Sequence, residues 1–447
     1  MLFVRRFVVL AVLCYGSSAV SAAAPYAQLS STETQMGGTA KVVTFNACDG
    51  ASRLSSFGGA VGFPDGGNYF ITAAGQIGGA GTGRVRLWLR LNGKDVENSS
   101  AEQSVIDGST SVLISQSVIS VKAGDKLTLV FSSTSPEIGL IATQEGAEPA
   151  IPSMIFSAFL VSQGEYAQLS SLKTQPCAPQ AKGVILDQID LASGIANRDG
   201  AITFERAGAY FVIAAGQVGG GGEGKAQLWL RKNGGDMDNT NAEQSLTPRA
   251  TAVLGSQRVA RMNAGDQLTL MHVGKGEGVA LEASRPRREP AIPSLIFSAF
   301  RTGESFAQVS SLRTQPAEAK GRPIVLEQND ALSDVVNDHG LLTIKKSGVY
   351  FLLAAGQVGG DGAGGGEGSV RLWMRRNGED VENSNTEQSV FGGSTSVLVC
   401  QGVMELEAGD TIQLMQSARG DGIGMVATPR GATPAVPSLI LSLFSIQ

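Results

Sequence analysis

The feature that most constrains this chain is a repeat: one stretch of roughly 140 residues is written three times. Tyr26-Ala27-Gln28-Leu29-Ser30-Ser31 returns at 166–171 and, with Phe306 for Tyr and Val309 for Leu, at 306–311. Trp88, Trp229 and Trp373 each sit in Leu-Trp-Leu/Met-Arg-x-Asn-Gly, and Ala150-Ile151-Pro152-Ser153 returns as an Ala-x-Pro-Ser string at 291–294 and 435–438. A solenoid repeat has about 20 to 45 residues, whereas this unit is the size of a whole domain. The expected organisation is therefore a leader at 1–22 and three modules at 23–163, 164–303 and 304–447.

Within a copy the strand signals are dense. In the second, a β-rich run at 209–217 closes on Gly219 to Gly222, and the run at 226–232 ends in Asn233-Gly234, a strong hairpin signal. Further runs at 250–259, 267–273 and 293–300 are punctuated by Gly265-Asp266 and prolines. Short strands at such spacing, in a chain with 58 Gly and 16 Pro, predict an all-β sandwich or barrel, and no window carries an amphipathic helix pattern. Two runs, 210–215 and 295–300, are apolar on both faces. A strand on a solvated sheet alternates apolar with polar. Either these strands are overpacked or covered by loops, or their sheet packs against the neighbouring copies.

The residues resemble those of the C1q/TNF-type jelly-roll superfamily, closest to C1q-like globular domains. The resemblance rests on an apolar residue placed six before Gly-x-Tyr: Val61 with Gly67 and Tyr69, Ile202 with Gly208 and Tyr210, Leu342 with Gly348 and Tyr350. It rests also on the Gly-Asp pairs at 124, 265 and 409 and on Phe-Ser-x-Phe endings: Phe156 to Phe159, Phe297 to Phe300, and Leu441 to Phe444. The family usually has Phe at the first of these positions, where all three copies here are aliphatic. No Gly-X-Y stalk precedes any copy, which weighs against collagen-mediated roles. The resemblance implies jelly-roll sandwiches that trimerise through the sheet carrying the Gly-x-Tyr strand and the last strand. It places Tyr69, Phe70, Tyr210, Phe211, Tyr350, Phe351, Phe156, Phe159, Phe297, Phe300 and Phe444 between modules. The links at 160–165 and 301–305 span at most roughly 20 Å. They suit an intramolecular pseudo-threefold trimer; the rival is a linear array whose modules trimerise with other chains.

Ahead of the first copy, Arg5 and Arg6 precede an apolar run at 7–13 and the small residues Val20-Ser21-Ala22. That is the pattern of a secretory signal peptide, and the run is too short to span a bilayer. The expected location is extracellular. Taking those two arginines from 35 basic residues, against 40 acidic, leaves a charge near −7, which argues against nucleic acid as a partner. Cys48, Cys177 and Cys400 fall at different points of the repeat and form no repeated disulfide framework.

Catalytic machinery is absent from the sequence, and no enzyme activity or cofactor is expected. The only histidines, His272 and His339, occupy non-equivalent positions, and no Gly-x-Ser-x-Gly elbow occurs. Gly219 to Lys225 matches the glycine and lysine spacing of a phosphate loop, but Ala226 replaces the Ser/Thr and a strand follows. Asp361, Glu367 and Asp421 would be the acids to take calcium. Arg419-Gly420-Asp421 resembles an adhesion tripeptide, and Asn98-Ser99-Ser100 is a glycosylation acceptor in a eukaryotic secretory pathway. Arg90, Arg231 and Arg375 form a surface stripe or an inter-module contact, and the pairs Glu102-Gln103, Glu243-Gln244 and Glu387-Gln388 read equally as loop decoration or as ligand contacts. The expected function is recognition or adhesion toward a protein or glycan through loops at one end. The alternative is a structural brick of a matrix, coat or envelope.

Overall fold

The computed structural model describes residues 24–106, 108–144, 146, 148–360 and 366–446. The expected leader at 1–22 and Asp361 lie outside them. The all-β expectation holds: among the described residues there is no helix, and six antiparallel sheets come in three pairs. In the middle pair, one sheet runs Gln175–Pro176, Val279–Leu281, Gly208–Gly220, Leu295–Arg301, Tyr166–Ser171, Gln188–Ser193, with Ala252–Met262 on the far side of Gly208–Gly220. The facing sheet runs Ile195–Arg198, Ala201–Phe204, Gln267–Lys275, Gly224–Lys232, Gly235–Asp236. Asn92, Asn233 and Asn377, each before a glycine, take positive φ of 49–50° and close the same hairpin three times. This is the turn chemistry that Asn-Gly supplies.

Strand parity decides what the doubly apolar runs do, because successive side chains leave a strand on opposite faces. Phe211 and Phe300 turn outward from their sandwich and meet Phe70, Phe159, Phe351 and Phe444 from the other two, with neighbouring ring centroids 5.0–6.3 Å apart. The tyrosines turn inward, contrary to their expected place between modules. Tyr69 lies 4.7 Å edge-on to Phe63 and Tyr210 stands in the same relation to Phe204; the Tyr350 hydroxyl donates to the Lys346 carbonyl at 2.6 Å. Phe156, 5.4 Å from Phe45, also packs inside its own sandwich. Phe297 takes the face opposite Phe300, since the two are three residues apart on one strand.

Candidate functional site: the axis and its open end

The contacts between sandwiches repeat in a cycle: first to second, second to third, third back to first. The side chain of Gln217 accepts from the Glu102 amide at 3.0 Å and donates to the Glu102 carbonyl at 2.6 Å. Gln357 grips Glu243 in the same way at 2.9 and 2.7 Å, and Gln76 grips Glu387 at 2.9 and 2.7 Å. A second ring of glutamines accepts from backbone amides across each seam: Val118 to Gln168, Val259 to Gln308 and Val403 to Gln28, at 2.8–2.9 Å. The Glu-Gln pairs therefore lie in strands at the seams and not in decorating loops. The glutamines that grip them stand out less in the sequence, although a signal exists: Ala-Ala-Gly-Gln recurs in all three copies and sets an amide in a largely apolar strand. Replacing Gln217 by Leu strands a buried N–H and C=O, at about 1–3 kcal/mol each. A chemical-denaturation midpoint should fall accordingly, whereas Gln227→Leu should leave a smaller loss.

Asn98 sits in this set as well. Its amide nitrogen donates to Asp190 of the second sandwich at 2.6 Å, as Asn239 does to Asp330 and Asn383 to Asp49. Burial pushes all three aspartates above the usual carboxylate range, and the Asn donation offsets that only in part. A glycan on Asn98 would have to displace this bond: its nitrogen is engaged at a seam and Ser100 is buried. Peptide mass spectrometry of chain made in a eukaryotic secretory host should find Asn98 unmodified. The tryptophan-side arginines do not reach a neighbour either; Arg90, Arg231 and Arg375 each pair with an aspartate of their own hairpin at 2.7–2.8 Å.

The seams are not identical. Arg86 bridges Glu102 and Glu289 across the first, and Arg371 bridges Glu387 and Glu148 across the third at 2.6 and 2.9 Å. Gln227 takes the arginine's place at the second and donates to Glu243 at 2.8 Å. The third seam, which no covalent link closes, also gains the Tyr26 hydroxyl on Glu405 at 3.0 Å. The Asn385 amide on the Pro149 carbonyl at 2.7 Å has its counterpart at the second seam in Asn241 on the Pro434 carbonyl at 2.8 Å.

Along the shared axis the lining changes from end to end. The six phenylalanines fill one end. Valine, isoleucine and alanine side chains with Gln116 and Gln257 narrow the middle to a cavity of about 30 Å³. The other end opens into a vestibule of about 610 Å³ walled by all three sandwiches. Three interlocked hydroxyls brace it: the amides of Thr251, Thr395 and Thr110 donate to the oxygens of Ser104, Ser245 and Ser389 at 2.9–3.0 Å.

Arg419-Gly420-Asp421 lies on the turn between strands Thr411–Arg419 and Ile423–Met425, with Gly420 at φ 121° and Asp421 exposed. It borders a separate groove of about 670 Å³ shared with Glu148 of the first sandwich. Among the described residues no three acidic, His or Cys side chains converge for a metal, and the calcium expectation rests partly on Asp361, outside them. No helix there is long and apolar enough to cross a membrane.

Among the described residues one thiol–imidazole contact exists, Cys177 Sγ to His272 Nδ1 at 3.4 Å. Burial pushes the thiol up to about 11 and, with Lys182 adding to it, holds the imidazole down to about 4. Both groups are thus neutral at pH 7, the opposite of the thiolate–imidazolium pair a nucleophile requires. His272 has a consequence for stability. Its folded pKa is depressed below the ordinary 6.5, so between pH 6.5 and 4 the unfolded chain binds the extra proton and stability falls with pH. Relative to His272→Gln, the native chain should lose up to about 3 kcal/mol across that window, read from denaturation midpoints at stepped pH.

No family model and no curated protein matches the chain. Among solved structures, the chain is similar to the globular domain of a zebrafish complement 1qA protein, with 17% identity over 32% of this chain and 98% of that one, at a TM-score of 0.22.

Proposed function

We infer that the chain is a secreted, non-enzymatic recognition protein whose three C1q-like modules, 23–163, 164–303 and 304–447, form one single-chain pseudo-trimer that holds a protein or glycan at the open end of its axis. The observation that carries this reading is the vestibule walled by all three sandwiches, a site that no single module owns. The loops that differ between copies, 134–137, 274–277 and 419–421, lie outside that lining, and 419–421 borders the separate groove. Pockets at contacts between units are a preferred place for ligands. Light scattering on purified protein tests the architecture: a particle of one 46.2 kDa chain (less its leader) is expected, and a particle of three chains would overturn it. Binding to arrayed extracellular proteins and glycans tests recognition, and loss of every saturable signal would sink it. A structural brick is the second reading, favoured by the exposed apolar Ile185 and Val325 at equivalent positions; ordered multimers in light scattering would support it.

A further inference from the structure

We propose that the axial vestibule binds a neutral saccharide, a reading that rests on the recognition function above and names its ligand class. The cavity, about 610 Å³, falls in the range of small-molecule sites, roughly 300 to 1,000 Å³. Of its described lining residues only Glu223 and Lys225 are charged, one of each sign, and Lys225 is already held by Glu243 at 2.8 Å. A cavity with that balance gives no cluster of cations for phosphate, sulfate or carboxylate, and anionic ligands need one. The walls carry amides and hydroxyls from all three copies. Gln244 and Gln388 spend their nitrogens on the carbonyls of Ser245 and Ser389 at 2.9 and 3.2 Å, which leaves their oxygens to accept from ligand hydroxyls. The hydroxyls of Ser104 and Ser389 accept from backbone amides and keep their own protons to donate.

The apolar parts fit the same class. The copies diverge most at the rim position held by Ile106, Thr247 and Phe391; Ile106 is 41% and Phe391 43% exposed. An exposed aromatic beside amides and hydroxyls matches a pyranose, which presents a C–H face and a belt of hydroxyls. A fatty ligand finds no room deeper in, because the axis narrows to about 30 Å³ below the vestibule. The asymmetric rim gives one preferred orientation to a ligand in an otherwise threefold site.

The experiment uses the full chain on an array of neutral oligosaccharides with their sialylated and sulfated counterparts, followed by titration of the best binder. Binding to neutral glycans is expected, weakened at least tenfold by Phe391→Ala and by Gln244→Leu and unchanged by Arg419→Ala. Both altered side chains line an open cavity, and an unshifted melting temperature confirms folding. Preference for sialylated or sulfated glycans, or neutral-glycan binding indifferent to both vestibule variants, overturns the proposal. Binding to arrayed proteins alone overturns the saccharide while leaving the recognition function standing; silence toward glycans and proteins together removes both.

Discussion

A fragment cut to the second module, residues 164–303, is expected to run as a trimer and not as a monomer. On its own it would present Phe211 and Phe300, now 0% and 1% exposed, to water, together with Ile213 and Ile296 of the same face. A contiguous apolar patch of that kind marks an association surface. The partner surface is present on the fragment itself. Gln217 grips Glu102 in the intact chain, and Glu243 is the second module's own equivalent of Glu102. Asn239 donates to Asp330, and Asp190 is the equivalent acceptor within the fragment. Each donor thus finds its acceptor on the next identical copy, the heterologous contact that closes a threefold ring. A soluble fragment of monomer mass with native strand content would show that the face does not drive association. Association should also be concentration-dependent, with stability rising as protein is added, whereas the intact chain should unfold independently of concentration.

The strands, the turns and the doubly apolar runs were legible in the sequence because they depend on local rules: alternation, Asn-Gly turns and a repeat that shows each rule three times. Which half of an apolar run faces a neighbour was not. Tyr210 and Phe211 look equally suited to an interface, and only register against Phe204 on one side and the axis on the other separates them. Polar residues misled for the same reason. Asn98 reads as an exposed acceptor because the acid that engages it, Asp190, is 92 residues away and belongs to another copy. The glutamines were overlooked because an amide in an apolar strand has no meaning until its backbone partner across the seam is known. The vestibule was the least legible: its walls come from three places in the chain, and neither the recurring Glu-Gln pairs nor the string at 219–225 tells that they share a cavity.

Phe211→Ala should cost about 3–5 kcal/mol, and its distinguishing mark should be where the damage spreads. Truncating a buried phenylalanine removes apolar contact and leaves a cavity, here in a cluster whose rings also gain roughly 0.5–1.5 kcal/mol per favourable pair. Phe204 is equally buried but contacts Tyr210 inside a single sandwich, so Phe204→Ala offers a control of similar size and different reach. Hydrogen exchange should show the control loosening the second module alone. Phe211 touches Phe70, Phe300, Phe351 and Phe444, so its loss should raise exchange along Gly67–Gly79 and Gly348–Gly360 as well as Gly208–Gly220. A double substitution with Phe70→Ala should be non-additive, because both rings line one cavity and the second truncation removes contacts already lost. Additive losses, with exchange confined to the second module, would mean that the three sandwiches sit side by side without sharing a core, and the axial site would then lack the rigid floor that a ligand-holding vestibule requires.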